Sequence, residues 1–349
     1  MTRREGARNG LVVVNPLGHS LAHYCLELGA CMPREISWSR RSFPEPSVSG
    51  TGRSAWLRRY VSALLAARRQ NCELVLVVWP VLGFFDAVLL RAILGRGFAL
   101  VMHDSAPLSS SVGYGAMTRW IATRLIQPRR LIVHSDAAFD DLGGTRLKTR
   151  SVLLPHPVLA PRPRPCHAPV HPVLRVLGRY KDARDLGALR AIRDAIGVEV
   201  GLEVVGAGWP AVEGWTVRDS FVAEDELDTL ILTSTAVVIP YRRFYQSGIA
   251  LRCLELGVNV VGLRDSVLGE WFPGAPGLVD PGETSVESDR AWAHAAVRVL
   301  NAPEWAPDNG QKLHDDAKAA WAAYLASEVA RDPPLSGRCA PAPRRPSRS

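Results

Sequence analysis

The segment Ile239-Pro-Tyr-Arg-Arg-Phe-Tyr-Gln-Ser-Gly248 carries the clearest chemistry in the chain. An apolar run stops at Pro240, and a loop with Tyr241, Arg242 and Arg243 follows. Ser247-Gly248 then opens a helical stretch that Gly257 closes. The first N–H groups of a helix have no intrahelical partner, and a glycine there lets an anion approach the backbone. These residues predict a diphosphate cradle; they also fit a capped helix beside solvated arginines. A second basic group follows another apolar run, in Val176-Leu-Gly-Arg-Tyr-Lys-Asp-Ala-Arg184. Arg179, Lys181 and Arg184 would neutralise a leaving diphosphate by electrostatic stabilisation, or serve as ordinary surface charges.

Two further segments sit at ends of apolar runs. In Val101-Met-His-Asp-Ser-Ala-Pro107, His103 can position a hydroxyl with Asp104 orienting the ring, or both can be structural. His23, His134 and His156 have the same two readings. In Asn15-Pro-Leu-Gly-His-Ser-Leu-Ala-His-Tyr24, Gly18 admits the close approach of a ligand or of a facing domain. The nine histidines show no metal-site spacing, and the six cysteines no paired spacing, so neither a metal nor a disulfide framework is expected. There is no Walker A sequence, no G-x-S-x-G and no G-x-G-x-x-G after the first apolar run.

These groups need elements to hold them. Short β-like runs (Leu11–Asn15, Leu74–Trp79, Phe98–Met102, Leu131–His134, Arg150–Leu154) alternate with helical periodicity. The alternation resumes at Leu174–Leu177, Leu202–Val205, Ala236–Pro240 and Val258–Gly262. Helices are expected over 184–196, 224–232, 247–256 and 288–300. This pattern predicts an α/β chain of two Rossmann-like domains whose parallel sheets face a central cleft. The expected boundaries are 1–158 for a first domain, 159–172 for a proline-rich linker and 173–332 for a second domain whose last helix returns to the first. A disordered basic tail fills 333–349. Of the formal charge of +8, four charges are Arg338, Arg344, Arg345 and Arg348, which leaves a body too weakly basic for a nucleic-acid binder. No run approaches the roughly 20 apolar residues that span a bilayer, and no secretory leader is read. A cytoplasmic protein, with contact at the inner face of the plasma membrane, is the expectation.

Taken in order, these segments resemble the group 1 (family four) glycosyltransferases of the GT-B fold, over roughly residues 10 to 330. "VVNPLGHSLAHY" is similar to the family's first loop. "LVVWP…FFDAVLLRAILGRGFALVMHDSAP" is similar to a subgroup that often builds exopolysaccharides. "VLGRYKDARDL" resembles the Gly-Arg…Lys segment, and "FVAEDELDTLILTSTAVVIPYRRFYQSGIALRCLELGVNVV" the nucleotide-sugar loop and helix. Two departures stand out. Many members carry two glutamates eight residues apart here, the second binding the donor ribose; this chain has Phe244 and Arg252 at those positions. Glu255 replaces the second only if the helix rotates or shifts. Lys181 and Arg184 compete for the family lysine's role.

The resemblance implies metal-independent transfer of a sugar, with retention, from a nucleotide-diphosphate sugar to an acceptor hydroxyl, with no further cofactor. His103, Arg179 and Lys181 are the implied catalytic residues. Gly18, Arg184, Glu224, Tyr241, Arg242, Ser247, Gly248 and Glu255 are the implied donor contacts. The acceptor is expected on the N-terminal domain. The arginine-rich helix 53–69, with Trp56 and Tyr60 beside Arg53, Arg58 and Arg59, is either a contact to a lipid-linked acceptor at an anionic membrane or a sheet-covering helix. A catalytically degenerate scaffold and a nucleotide-sugar epimerase are the alternatives; a nicotinamide dehydrogenase is disfavoured by the missing fingerprint.

Overall fold

The computed structural model describes residues 10–70, 72–106, 112–162, 171–302 and 305–329. They form two units, one of residues 10–154 with 318–329 and the other of residues 155–317. The expected tail 333–349 and part of the expected linker, residues 163–170, lie outside the described residues. The described parts of that linker, 159–162 and 171–172, have no helix or strand, as its prolines require.

The first unit runs β1 (Leu11–Asn15), α1 (Ala22–Ala30), β2 (Trp38–Ser42), α2 (Pro46–Ser49), α3 (Arg53–Arg69), β3 (Leu74–Val77), α4 (Asp86–Leu94) and β4 (Phe98–Val101). It continues with α5 (Ala116–Leu125), β5 (Leu131–Val133), α6 (Asp136–Asp140), α7 (Thr145–Lys148) and β6 (Ser151–Leu153). All its strands are parallel, in the order β2-β1-β3-β4-β5-β6. β1, β3 and β4 are buried at every residue, as strands covered on both faces must be, and they read as unbroken Val/Leu/Ala/Phe runs.

The second unit runs β7 (Val173–Leu177), α8 (Leu186–Ala195), β8 (Gly201–Val205), β9 (Thr216–Arg218), α9 (Glu224–Leu232) and β10 (Ala236–Val238). It continues with α10 (Gly248–Glu255), β11 (Asn259–Leu263), α11 (Val267–Trp271), β12 (Leu278–Val279) and α12 (Ser285–Leu300). Its parallel strands follow the order β12-β11-β10-β7-β8-β9. Its core joins Leu189 and Ile192 of α8 to Trp292 and Val299 of α12 under the sheet, with Trp215 alongside. The last helix, α13 (Gly310–Val329), begins in the second unit, and its residues 318–329 belong to the first.

β2, β9 and β12 are additional to the strands read from the sequence. β2, Trp-Ser-Arg-Arg-Ser, and β9, Thr-Val-Arg, are solvated edge strands without an apolar run, and β12 has two residues. Backbone pairing to a buried neighbour makes them strands, a long-range cause that no local pattern records.

Candidate functional site

In the second unit, chain order breaks between β7 and β10, and ligands in such sheets bind beyond the carboxyl ends of the strands at this switch point. Gly178, with φ +92°, follows β7, and Gly206 follows β8. A Cβ on Gly206 would lie 2.2 Å from the Gly178 carbonyl oxygen, so only glycine lets these strand ends close up. The Trp209 indole donates to that carbonyl at 2.8 Å.

The loop after β7 is stitched to the loop after β10. The Asp185 amide donates to Pro240 O at 2.6 Å, the Arg242 amide to Ala183 O at 3.1 Å, and Arg184 forms a bridge with Tyr241. Arg184 is 4% exposed. Its guanidinium lies 4.3 Å from the Tyr241 ring centroid and 5.1 Å from that of Trp209, and it donates to Leu177 O at 2.9 Å. Burial pulls its pKa below the ordinary arginine value. Arg184 is therefore a brace under the loop, which separates it from Lys181 in their competition for the lysine role. Arg179 and Lys181 are exposed, and among the described residues neither side chain has a hydrogen-bond or ion-pair partner. Arg242 is also exposed, 3.8 Å from the Asp185 carboxylate. Ser247 caps α10, its hydroxyl accepting from the Ala250 amide at 3.2 Å, and the space around the Gly248 α-carbon is open. The edge thus offers an open helix start, two cations without neutralising partners, Arg179 and Lys181, and a third, Arg242, beside Asp185.

The family's second glutamate position holds Arg252, and the structure shows what that arginine does. It donates to Glu224 at 2.6 Å and to Asp228 at 2.8 Å, both on α9. Burial works against its charge, but these two carboxylates raise its pKa above the ordinary value. Glu224, an expected donor contact, is thereby ion-paired. Glu255 is fully buried and accepts from the Leu159 amide at 2.9 Å; it anchors the segment after the first unit instead of taking the place of the missing glutamate. Phe244, at the first glutamate position, is buried against Tyr241.

In the first unit the switch point lies between β1 and β3. His103 follows β4 there, its Nε2 2.8 Å from Val78 O, its ring stacked on Trp79 at 5.4 Å and edge-on to Tyr24 and His134. His134 uses both ring nitrogens, Nδ1 with Leu154 O at 3.0 Å and Nε2 with the Tyr24 hydroxyl at 3.1 Å, and it packs on Trp321. His103 is only 2% exposed. The Val78 carbonyl and these rings orient it. Sequence reading missed Tyr24, Trp79 and Trp321, which only the fold brings together.

Gly18 shows another correction. A Cβ there would lie 2.8 Å from Phe43 O, to which its own amide donates at 2.9 Å. The close approach it permits is that of the chain leaving β2. Beside it, the Glu45 carboxylate accepts from the His19 amide at 3.1 Å and from the amide and hydroxyl of Ser20. Burial opposes its charge, but these donors hold its pKa below the ordinary carboxylate value. Helix α3 turns its aromatics inward: Tyr60 is fully buried, and the Trp56 indole donates to Pro16 O at 2.8 Å. The aromatic half of the membrane reading is therefore used in packing. Among the described residues no helix is long and apolar enough to cross a membrane.

This architecture is the GT-B fold of glycosyltransferases. The chain is similar to sucrose-phosphate synthase from Thermosynechococcus elongatus, with 15% identity and a TM-score of 0.60 over 91% of this chain and 96% of that one. It is similar to the trehalose-6-phosphate synthase OtsA, with 10% identity and a TM-score of 0.56 over 93% and 99%. It is also similar to Anabaena HepE in complex with UDP-glucose, with 11% identity and a TM-score of 0.56 over 91% and 95%. No protein-family model matches the chain, and no curated protein does.

Proposed function

We propose that this chain is a metal-independent glycosyltransferase that moves a sugar, with retention, from a nucleotide-diphosphate donor to an acceptor hydroxyl. The reading places it in the assembly of a surface polysaccharide, a glycolipid or a glycosylated metabolite. The observation that carries it is the edge of the second unit, where exposed Arg179, Lys181 and Arg242 gather around the switch point near the Ser247-capped start of α10. The UDP-glucose held by the similar HepE supports a nucleotide sugar as the donor class.

The barrier to such a transfer is departure of the diphosphate. Arg179 and Lys181 stabilise its developing charge, and the first turn of α10 adds its unpaired N–H groups. The leaving phosphate takes the acceptor proton on the same face, so no protein nucleophile is needed. Arg184 and Tyr241 keep the loop that carries the cations in place, and His103 positions the end of β3 through Val78 and Trp79. The acceptor lies on the first unit. Peripheral contact with the inner face of a plasma membrane now rests on the exposed arginines of α3 alone.

Calorimetry with UDP, GDP, ADP, TDP and their common sugars, in metal-free buffer, tests the donor. Selective binding of one diphosphate, lost in Arg179→Ala/Lys181→Ala, is the expected result. The pairing of Arg252 with Glu224 and Asp228 favours a second reading, a degenerate scaffold, because it removes the ribose carboxylate. Absence of binding by every nucleotide would select it.

A further inference from the structure

A groove of about 380 Å³ lies on the first unit between the edge strand β2 and helix α3. It is lined by Arg40, Arg41 and Arg59, by the hydroxyls of Ser42 and Ser62, and by Phe43; no carboxylate lines it. Strand register puts Arg41 opposite Val14 and Ser42 opposite Asn15. The groove therefore sits at the carboxyl end of the sheet, and Phe43 joins it to the loop of Gly18.

Three guanidinium groups without a neutralising partner repel one another. Solvated arginines would tolerate this, but Arg41 is not simply solvated: its Nε is shielded from water and has no hydrogen-bond acceptor. A buried donor left unsatisfied is costly, and folded proteins keep few of them. Arg40 lines the groove and also reaches the Cys25 thiol, which burial pushes up to about 11 despite that contact. The Arg59 side chain has no hydrogen-bond or ion-pair partner among the described residues. A phosphate answers this arrangement. It accepts from the planar guanidinium fork through two oxygens at once and takes hydroxyl donors on the third. The groove exceeds what a bare phosphate needs, and Phe43 supplies an apolar wall for whatever bears it.

We propose that this groove is an anion subsite that binds the phosphate ester of a phosphorylated acceptor, with Arg41 and Arg59 as its principal ligands. Naming the ligand an acceptor rests on the glycosyl-transfer reading; the anion site itself does not. The same phosphate can belong to a soluble sugar ester or to a lipid headgroup.

The test uses the full chain and glycerol 3-phosphate as probe, titrated by calorimetry, with UDP titrated in parallel. Saturable binding is expected, weakened by about tenfold or more in Arg41→Gln/Arg59→Gln, while UDP affinity stays unchanged. Arg41→Lys keeps the charge without the fork and is expected to fall between. Equal affinity of wild type and double variant, or no binding by wild type, overturns the site. If glycerol 3-phosphate binds and UDP does not, the donor reading fails and the anion site stands; the reverse pattern removes the site alone. Flotation with phosphatidylcholine vesicles containing phosphatidic acid separates the sources. Binding that depends on Arg41 and Arg59 assigns a headgroup phosphate, and lack of flotation alongside glycerol 3-phosphate binding assigns a soluble ester.

Discussion

The two sheets expose opposite chemistry at their carboxyl ends. In the second unit the switch point is ringed by exposed cations, and Arg184, drawn inward beneath them, is spent on backbone carbonyls and aromatic faces. In the first unit the equivalent place is filled by Tyr24, Trp79, His103, His134 and Trp321, with His103 turned to the Val78 carbonyl and His134 to the Leu154 carbonyl and the Tyr24 hydroxyl. A buried carboxyl, Asp86, accepts from the Leu82 amide in the turn after β3. The switch point of the C-terminal sheet is built for charge, and that of the N-terminal sheet for shape, its arginines set apart in the groove beside β2. Substitutions at the first should cost function without stability, and at the second stability before function.

The largest expected effect tests the ring cluster. Trp321 is fully buried, so Trp321→Ala should remove about 3–5 kcal/mol from the first unit. Denaturant unfolding followed by near-ultraviolet circular dichroism reads this, and a loss under 1 kcal/mol would show that the rings are not a core.

Asp86 gives a pH test of the same edge. Burial raises its pKa to about 7, against 3.8 when unfolded. The unfolded chain therefore loses this proton first. Stability falls as pH climbs from about 4 to about 7 and stays lower above that, by up to roughly 4 kcal/mol at 1.36 kcal/mol per pH unit. Asp86→Asn should flatten that slope; an unchanged pH profile of the midpoint would assign the slope to another group.

The cationic edge is tested by Lys181→Ala and Arg179→Ala. Each should lower kcat by about 10²–10³-fold while shifting stability by no more than about 0.5 kcal/mol. Turnover near wild type in both variants would remove these cations from the reaction. The smallest effect is expected from Ser247→Ala, which deletes the α10 cap and should cost about 1 kcal/mol in thermal unfolding. A weakened nucleotide affinity in that variant would tie the cap to donor binding as well.

The sequence was most informative where cause is local. The helix over 53–69 and the start of α9 at Glu224 follow from apolar spacing, and the buried strands from unbroken Val/Leu runs. The α/β class and the two-sheet arrangement follow from their alternation. The edge strand β2 was not legible, because Trp-Ser-Arg-Arg-Ser is a strand only through its pairing with β1. At the candidate site, the cations after β7 and the Ser247 cap could be read, since turn and cap residues announce themselves. The destinations of side chains could not. Nothing in the spacing of Arg184, Glu255 and Arg252 says that the first turns under Tyr241, the second toward Leu159 and the third toward α9. Those partners lie far along the chain, in places only the fold brings near.

The return of α13 to the first unit has a consequence for the order in which the chain matures. Arg130 is bound to Glu328, with a separation of 198 positions, at a buried ion pair of 2.6 Å, and Tyr324 reaches Arg129 O at 3.0 Å. On a ribosome the first unit is thus synthesised without its last helix. It must wait while residues 155–317 emerge, about 10–30 s at the usual rates of elongation. During that interval the nascent sheet lacks Trp321 and leaves Arg130 without its carboxylate, so a chain stalled before residue 318 should be cut by protease far faster than one released at full length.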